Sequence, residues 1–312
     1  MFHKKHESKD ESKDESKDES KKEMTIKKID KKIINEIKIS ESICKICFYD
    51  YYFFPILDSK RIFISNIENI LYDSIADSEY ILITKNKIHS FDLFIEPIEN
   101  IDMFIKIIIE TYLCLLNSLE VLEKNRLCYF HLNERSLGFN NYKFPVLHDF
   151  SECFRYEDIL NLDFLDVQGV YLCLDYFVLS FLKSNKSMSK QNMNDIIKNY
   201  VLYVKEIIKD LDVLDFERRC NTSIKKWINK DISQVDLNIY FWDVCSLHMF
   251  FLDMINSRLS SNDIHNIHKL DLFIKFFKRH LLDCICPEER ISFSRCRVSF
   301  EKMYKSIDWC FI

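Results

Sequence analysis

Tyr129-Phe-His-Leu-Asn-Glu-Arg-Ser136-Leu-Gly-Phe139, followed by Val146-Leu-His-Asp149-Phe150-Ser151, is the stretch on which the fold assignment turns. Apolar residues frame a short polar loop carrying His131, Asn133 and Ser136, and a second apolar run leads into Asp149 just before an aromatic residue. An aspartate in such a turn either caps a backbone amide or offers its carboxylate to a cation. The separation of the two loops, His131 to Asp149 (149 − 131 = 18), limits how they are aligned with known motifs.

The pair resembles the catalytic loop H-R-D-L-K-x-x-N and the metal-binding turn D-F-G of the protein kinase superfamily. In the frame that keeps the family's spacing, His131 stands at the catalytic Asp, Asn133 at the Lys and Ser136 at the metal-binding Asn. A rival frame puts His131 at the motif's His, Asn133 at its Asp and Gly138 at its Asn. Both frames lose the catalytic base. Asp149 alone keeps the metal-binding identity.

Two later segments extend the resemblance. Trp242-Asp243-Val-Cys-Ser246-Leu247, running to Met254, is similar to the kinase D-x-W-S-L-G helix, in which the Asp hydrogen-bonds the catalytic-loop backbone. Pro287-Glu-Glu-Arg290-Ile-Ser292 resembles the P-x-x-R-x-S/T near the domain's end, whose Arg pairs with the Glu of A-P-E; Leu174-Asp175-Tyr176 supplies the corresponding acid. Asp243, Arg290 and Asp175 are therefore expected as structural residues. From Asp175 to Asp243 is 68 positions (243 − 175), so the resemblance implies an insert at about 176–238, with a helix around Asn192 to Leu211. The layout is similar to that of kinase-like proteins of large nucleocytoplasmic DNA viruses, whose loop reads F-D-L-N-x-x-N-I-G-F.

Composition agrees with a folded chain of this class. Of 312 residues, 47% are hydrophobic and 30% charged, enough for a large core under a solvated surface. The net charge of −5 gives no global reason to expect nucleic-acid binding. The hydrophilic start and the lack of an eighteen-residue apolar run predict neither a secretory signal nor a membrane span. Twelve cysteines spread along the chain suit a reducing compartment. Cys44-x-x-Cys47 and Cys284-x-Cys286 have the spacing of zinc half-sites but no partner pair; Cys44 and Cys47 continue a helical apolar stripe, so core cysteines are expected and zinc is not.

Within residues 1–23, the stretch Glu7–Lys21 repeats Glu-Ser-Lys-Asp without a hydrophobic member, which predicts a solvated, disordered tail over 1–23. From Ile26 the isoleucines recur at helical spacing, predicting an amphipathic helix, with strands over Tyr51 to Leu57, Arg61 to Ile64 and Tyr80 to Ile88. No V-A-I-K-like strand is expected, no glycine precedes Gly138, and Lys60 reads as part of a solvated turn. Residues 101–126 predict a long buried helix. The expected fold is α+β and mostly α: a kinase-like two-lobe chain with a reduced small lobe at 24–98 and a helical large lobe at 99–312. The resemblance implies a pseudokinase that binds a protein partner, such as a host or viral kinase or its substrate, in the cytoplasm of an infected cell. No cofactor, nucleic acid or membrane is expected. The alternatives are an atypical serine/threonine kinase, which would need ATP and magnesium, and a structural viral component.

Overall fold

The computed structural model describes residues 22–62, 79–130, 132–140, 143–161, 171–185, 187–208, 210–232, 239–258, 264–285 and 292–306. The chain is α+β and mostly α, with small antiparallel sheets. Strands β1 (Lys22–Lys28), β2 (Asp58–Ile62) and β3 (Tyr80–Asn86) form one sheet in the order β1-β3-β2, with Lys27 opposite Ile81 and Lys60 opposite Leu82. Helix α1 (Lys31–Ile43) packs on that sheet, and Ile33, Ile56, Ile81 and Ile83 make a small core between them.

This region corrects four expectations. The helix does not begin at Ile26: Lys22–Lys28 is a strand, so the segment expected as a tail to residue 23 ends in β1. Asp30 separates the two elements, because its extended backbone and a side chain accepting from the Ile33 amide at 2.8 Å start the helix there. Tyr51 to Leu57 is not a strand. Tyr49–Tyr51 is a turn of 3₁₀ helix, and Phe53 makes a single parallel bridge to Leu147. Lys60 lies within β2, exposed, not in a turn. Residues 63 and 64 of the expected strand lie outside the described residues.

Next along the chain come β4 (His89–Ser90), α2 (Phe91–Ile95) and α3 (Ile101–Lys124), the last capped by Asn100 and buried over most of its length. Strand β5 (Leu127–Cys128) leads into the polar loop, followed by β6 (Leu137–Phe139), β7 (Pro145–Leu147) and β8 (Phe154–Arg155). β4-β6-β7 form one small sheet and β5-β8 another. Gly138 fits closely in the first: an added Cβ would meet the His89 carbonyl oxygen and the Ile88 side chain at 3.1 Å.

Helices α4 (Leu174–Ser184), α5 (Lys190–Ile207) and α6 (Val213–Ile224) come next. They are followed by α7 (Tyr240–Arg258), α8 (Ile264–Ile285) and α9 (Phe293–Ser306). α7 is buried on every side from Phe241 to Leu252, and it packs against α3, α5, α8 and β5. Polar residues on such a helix must find partners within the protein. His248 does so: its Nδ1 donates to the Val244 carbonyl at 2.6 Å, so its Nε2 accepts from the Tyr112 hydroxyl at 3.1 Å. Among the described residues no helix is long and apolar enough to cross a membrane.

Asp30→Ala should lower stability by about 1 kcal/mol, measured by urea unfolding, with Asp30→Asn close to neutral. An unchanged midpoint for Asp30→Ala would contradict the observed boundary between β1 and α1.

Candidate functional site

The polar loop is held from beneath by one carboxylate. The amides of Tyr129 and Phe130 donate to Oδ2 and Oδ1 of Asp243, each at 2.9 Å, and the Cys128 thiol reaches Oδ1 at 3.6 Å. Asp243 is buried on α7, and burial outweighs the amide bonds to raise its carboxyl to about 6. Phe130 takes a left-handed backbone conformation, φ 63°, that a bulky residue rarely adopts. Its amide bond to Asp243 and its ring contacts with Phe154, Tyr176 and Trp242 hold it there. The next residue, His131, lies outside the described residues.

Beyond the clamp the loop closes on itself. Asn133 Oδ1 accepts from the amides of Arg135 and Ser136 at 2.8 and 3.0 Å. The Ser136 hydroxyl accepts from the Asn133 amide at 3.0 Å and donates to the Asn133 carbonyl at 2.8 Å. This reciprocal pair is a capping box around one turn of 3₁₀ helix. Ser136 is 1% exposed. Both side chains are thus engaged in shaping the turn.

Asp149 receives the Ser151 amide on Oδ1 at 3.0 Å, which gives its turn the local cap expected for such an aspartate. Phe150 points into the core between Tyr129 and Phe53, with ring centroids 5.7 and 6.1 Å away. The Tyr129 hydroxyl donates to the Ser136 carbonyl at 3.2 Å, tying this ring stack to the closed turn. Burial and the nearby Lys85 ammonium push the His148 imidazole down to about 4, so it is neutral at physiological pH.

A charged group that the sequence reading missed lies next to this turn. Glu36, on α1, is 2% exposed and is hydrogen-bonded by Lys85 from β3. Lys85 also donates to the His148 carbonyl at 3.3 Å, and Lys27 of β1 approaches the other Glu36 oxygen at 3.6 Å. Lys27 lies in β1, just before α1, and its side chain is 44% exposed where Glu36 is buried. The usable signal was Asp30, a helix-start residue that cuts the isoleucine series after Ile29.

Asp175 is buried in the first turn of α4 and lines a small cavity with Trp242, Cys284 and Ile285. Its expected partner Arg290 lies outside the described residues, as does Cys286. Cys47 is exposed and Cys44 only half-buried, because α1 ends at Ile43; neither is the core cysteine expected. Cys284 is buried. Among the described residues no group of three or more His, Cys, Asp or Glu is placed to hold a metal ion. No protein-family model matches the chain, and no curated protein matches it.

Two substitutions separate the roles of the lysines. Lys85→Ala leaves Glu36 buried with only the half-exposed Lys27 and should lower stability by about 3–5 kcal/mol, whereas Lys27→Ala should cost about 1 kcal/mol or less. Equal losses in denaturant titrations would mean that the two lysines share Glu36, and a larger loss for Lys27→Ala would assign the pair to Lys27. Asp243 has a pH signature. Its folded-state carboxyl holds its proton more tightly than the unfolded one, so its contribution to stability falls as pH rises from about 4 through 6. The neutral His148 and His248 act in the opposite direction, losing stability as pH falls below about 6.5. Comparing wild type with Asp243→Asn cancels them. The variant's deficit should shrink by on the order of 3 kcal/mol between pH 4 and 7; a constant or growing deficit would mean that the amide bonds outweigh burial.

Proposed function

We propose that this chain is a pseudokinase: a kinase-like protein that works by binding a protein partner and does not transfer phosphate. The observation that carries the proposal is the Ser136 hydroxyl, bonded in both directions to the Asn133 backbone. In the resembling family this position holds magnesium, and Asn133 occupies the position of a catalytic lysine. Phosphoryl transfer depends on positioned charge, with a base, a lysine and two metal-binding groups acting together. Here two of those positions are engaged in a capping box, and an amide cannot supply the missing positive charge. The residues therefore do not fit magnesium-dependent transfer, and no catalytic step is assigned to them.

Shape-holding features support the same reading. Asp243 grips the loop backbone, Phe150 is packed inward against Tyr129, and Lys85 joins α1 to the turn before Asp149. These interactions give a defined surface without requiring turnover. A second reading, an atypical ATP-dependent serine/threonine kinase, draws on the Lys27 and Lys85 ammonium groups beside Glu36, since a strand lysine paired with a helix glutamate is part of the kinase nucleotide site.

A phosphotransfer assay with magnesium or manganese ATP decides between them. Wild type and Asp149→Ala should be equally inactive, the variant melting slightly lower through loss of the Ser151 cap. Saturable ATP binding with transfer that Asp149→Ala abolishes would establish the kinase reading.

A further inference from the structure

Away from the polar loop, a groove of about 480 Å³ runs between α8 and α9. Lys275, Arg279, Arg295 and Lys302 line it, against a single carboxylate, Asp283. Lys275 is paired with Asp271 at 2.5 Å. Arg279, Arg295 and Lys302 are exposed, and none of the three has an ion-pair partner among the described residues. Such an excess of cations among the described residues of the groove is notable on a chain of net charge −5.

The floor of the groove is a buried imidazole. His280 is 5% exposed and stacks on Phe276 and on His248 of α7, with centroids 4.0 and 5.4 Å away. Its Nδ1 donates to the Phe276 carbonyl at 2.8 Å, which makes Nε2 the acceptor of a neutral ring. Burial and the nearby guanidiniums of Arg279 and Arg295 hold this imidazole below its ordinary range. An anion bound in the groove beside Arg279 and Arg295 would relieve that repulsion and raise the imidazole's affinity for a proton.

We propose that this groove binds an acidic peptide through a phosphoserine. Two guanidiniums match the planar, bidentate recognition of phosphate. The apolar walls from Leu272 and Met303 suit the neighbouring side chains of a peptide. The aromatic lining residue, Phe276, is buried against His280 and presents no open face for base stacking, which disfavours a single-stranded nucleic acid.

The test follows the His280 ring signal in the full chain labelled at histidine, assigned by its loss in His280→Gln. The probes are a pool of acidic peptides carrying one phosphoserine in random flanks, the matched serine pool, inorganic phosphate and a single-stranded oligonucleotide. Saturable movement of the His280 signal with the phosphoserine pool is expected, at least about tenfold weaker with the serine pool. Arg279→Glu with Arg295→Glu should abolish it without changing the melting temperature; if that pair misfolds, Arg279→Gln should still weaken binding. No saturation, equal binding of the serine pool, a response to inorganic phosphate alone, or tighter binding of the oligonucleotide would each overturn the proposal.

Discussion

Two consecutive backbone amides donating to one buried carboxylate are the constraint on which the rest of the structure hangs. Asp243 sits on a helix buried on every side, where an unpaired charge would be strongly unfavourable, and the Tyr129 and Phe130 amides answer it. In return the carboxylate holds Phe130 in a left-handed conformation and aims the Tyr129 ring at Phe150. The ring stack and the 129–136 loop thus both start from α7. Their positions depend on a contact between residues more than a hundred positions apart.

The same loop illustrates how shape and chemistry separate. Asn133 and Ser136 satisfy each other's backbone groups, which rigidifies the turn and uses the atoms that a metal site would need. Lys85 makes a parallel use of charge: it bonds a buried glutamate and a loop carbonyl, joining α1, β3 and the turn at Asp149. Buried ion pairs contribute little net stability over apolar packing, but breaking one is costly, so this pair fixes relative placement more than it adds free energy. In the proposed pseudokinase these local closures leave a rigid surface as the functional element.

The readable parts of this fold were those whose signal is periodic or tied to spacing. The buried helix at 101–124 follows from apolar recurrence, the helix expected around Asn192 to Leu211 runs from Lys190 to Ile207, and Asp243 stood out because its neighbours form a recognisable word. β1 was missed because every residue in it is exposed, so it carries no alternating pattern, and Ile26 merged with the isoleucines of α1. Glu36 is one charge among several on an amphipathic helix, and only folding brings Lys85, 49 positions away, against it. Cys44 and Cys47 misled because a helical stripe was extended past the true helix end. The basic groove was equally hidden, since its cations come from two helices of an acidic chain.

Native-state hydrogen exchange at the Tyr129 and Phe130 amides tests the central claim most directly. If Asp243 secures the loop, both amides exchange only through global unfolding, as slowly as the interior of α7, and become fast in Asp243→Ala while α3 stays protected. Exchange of these two amides orders of magnitude faster than α7 in the wild-type protein would contradict the account.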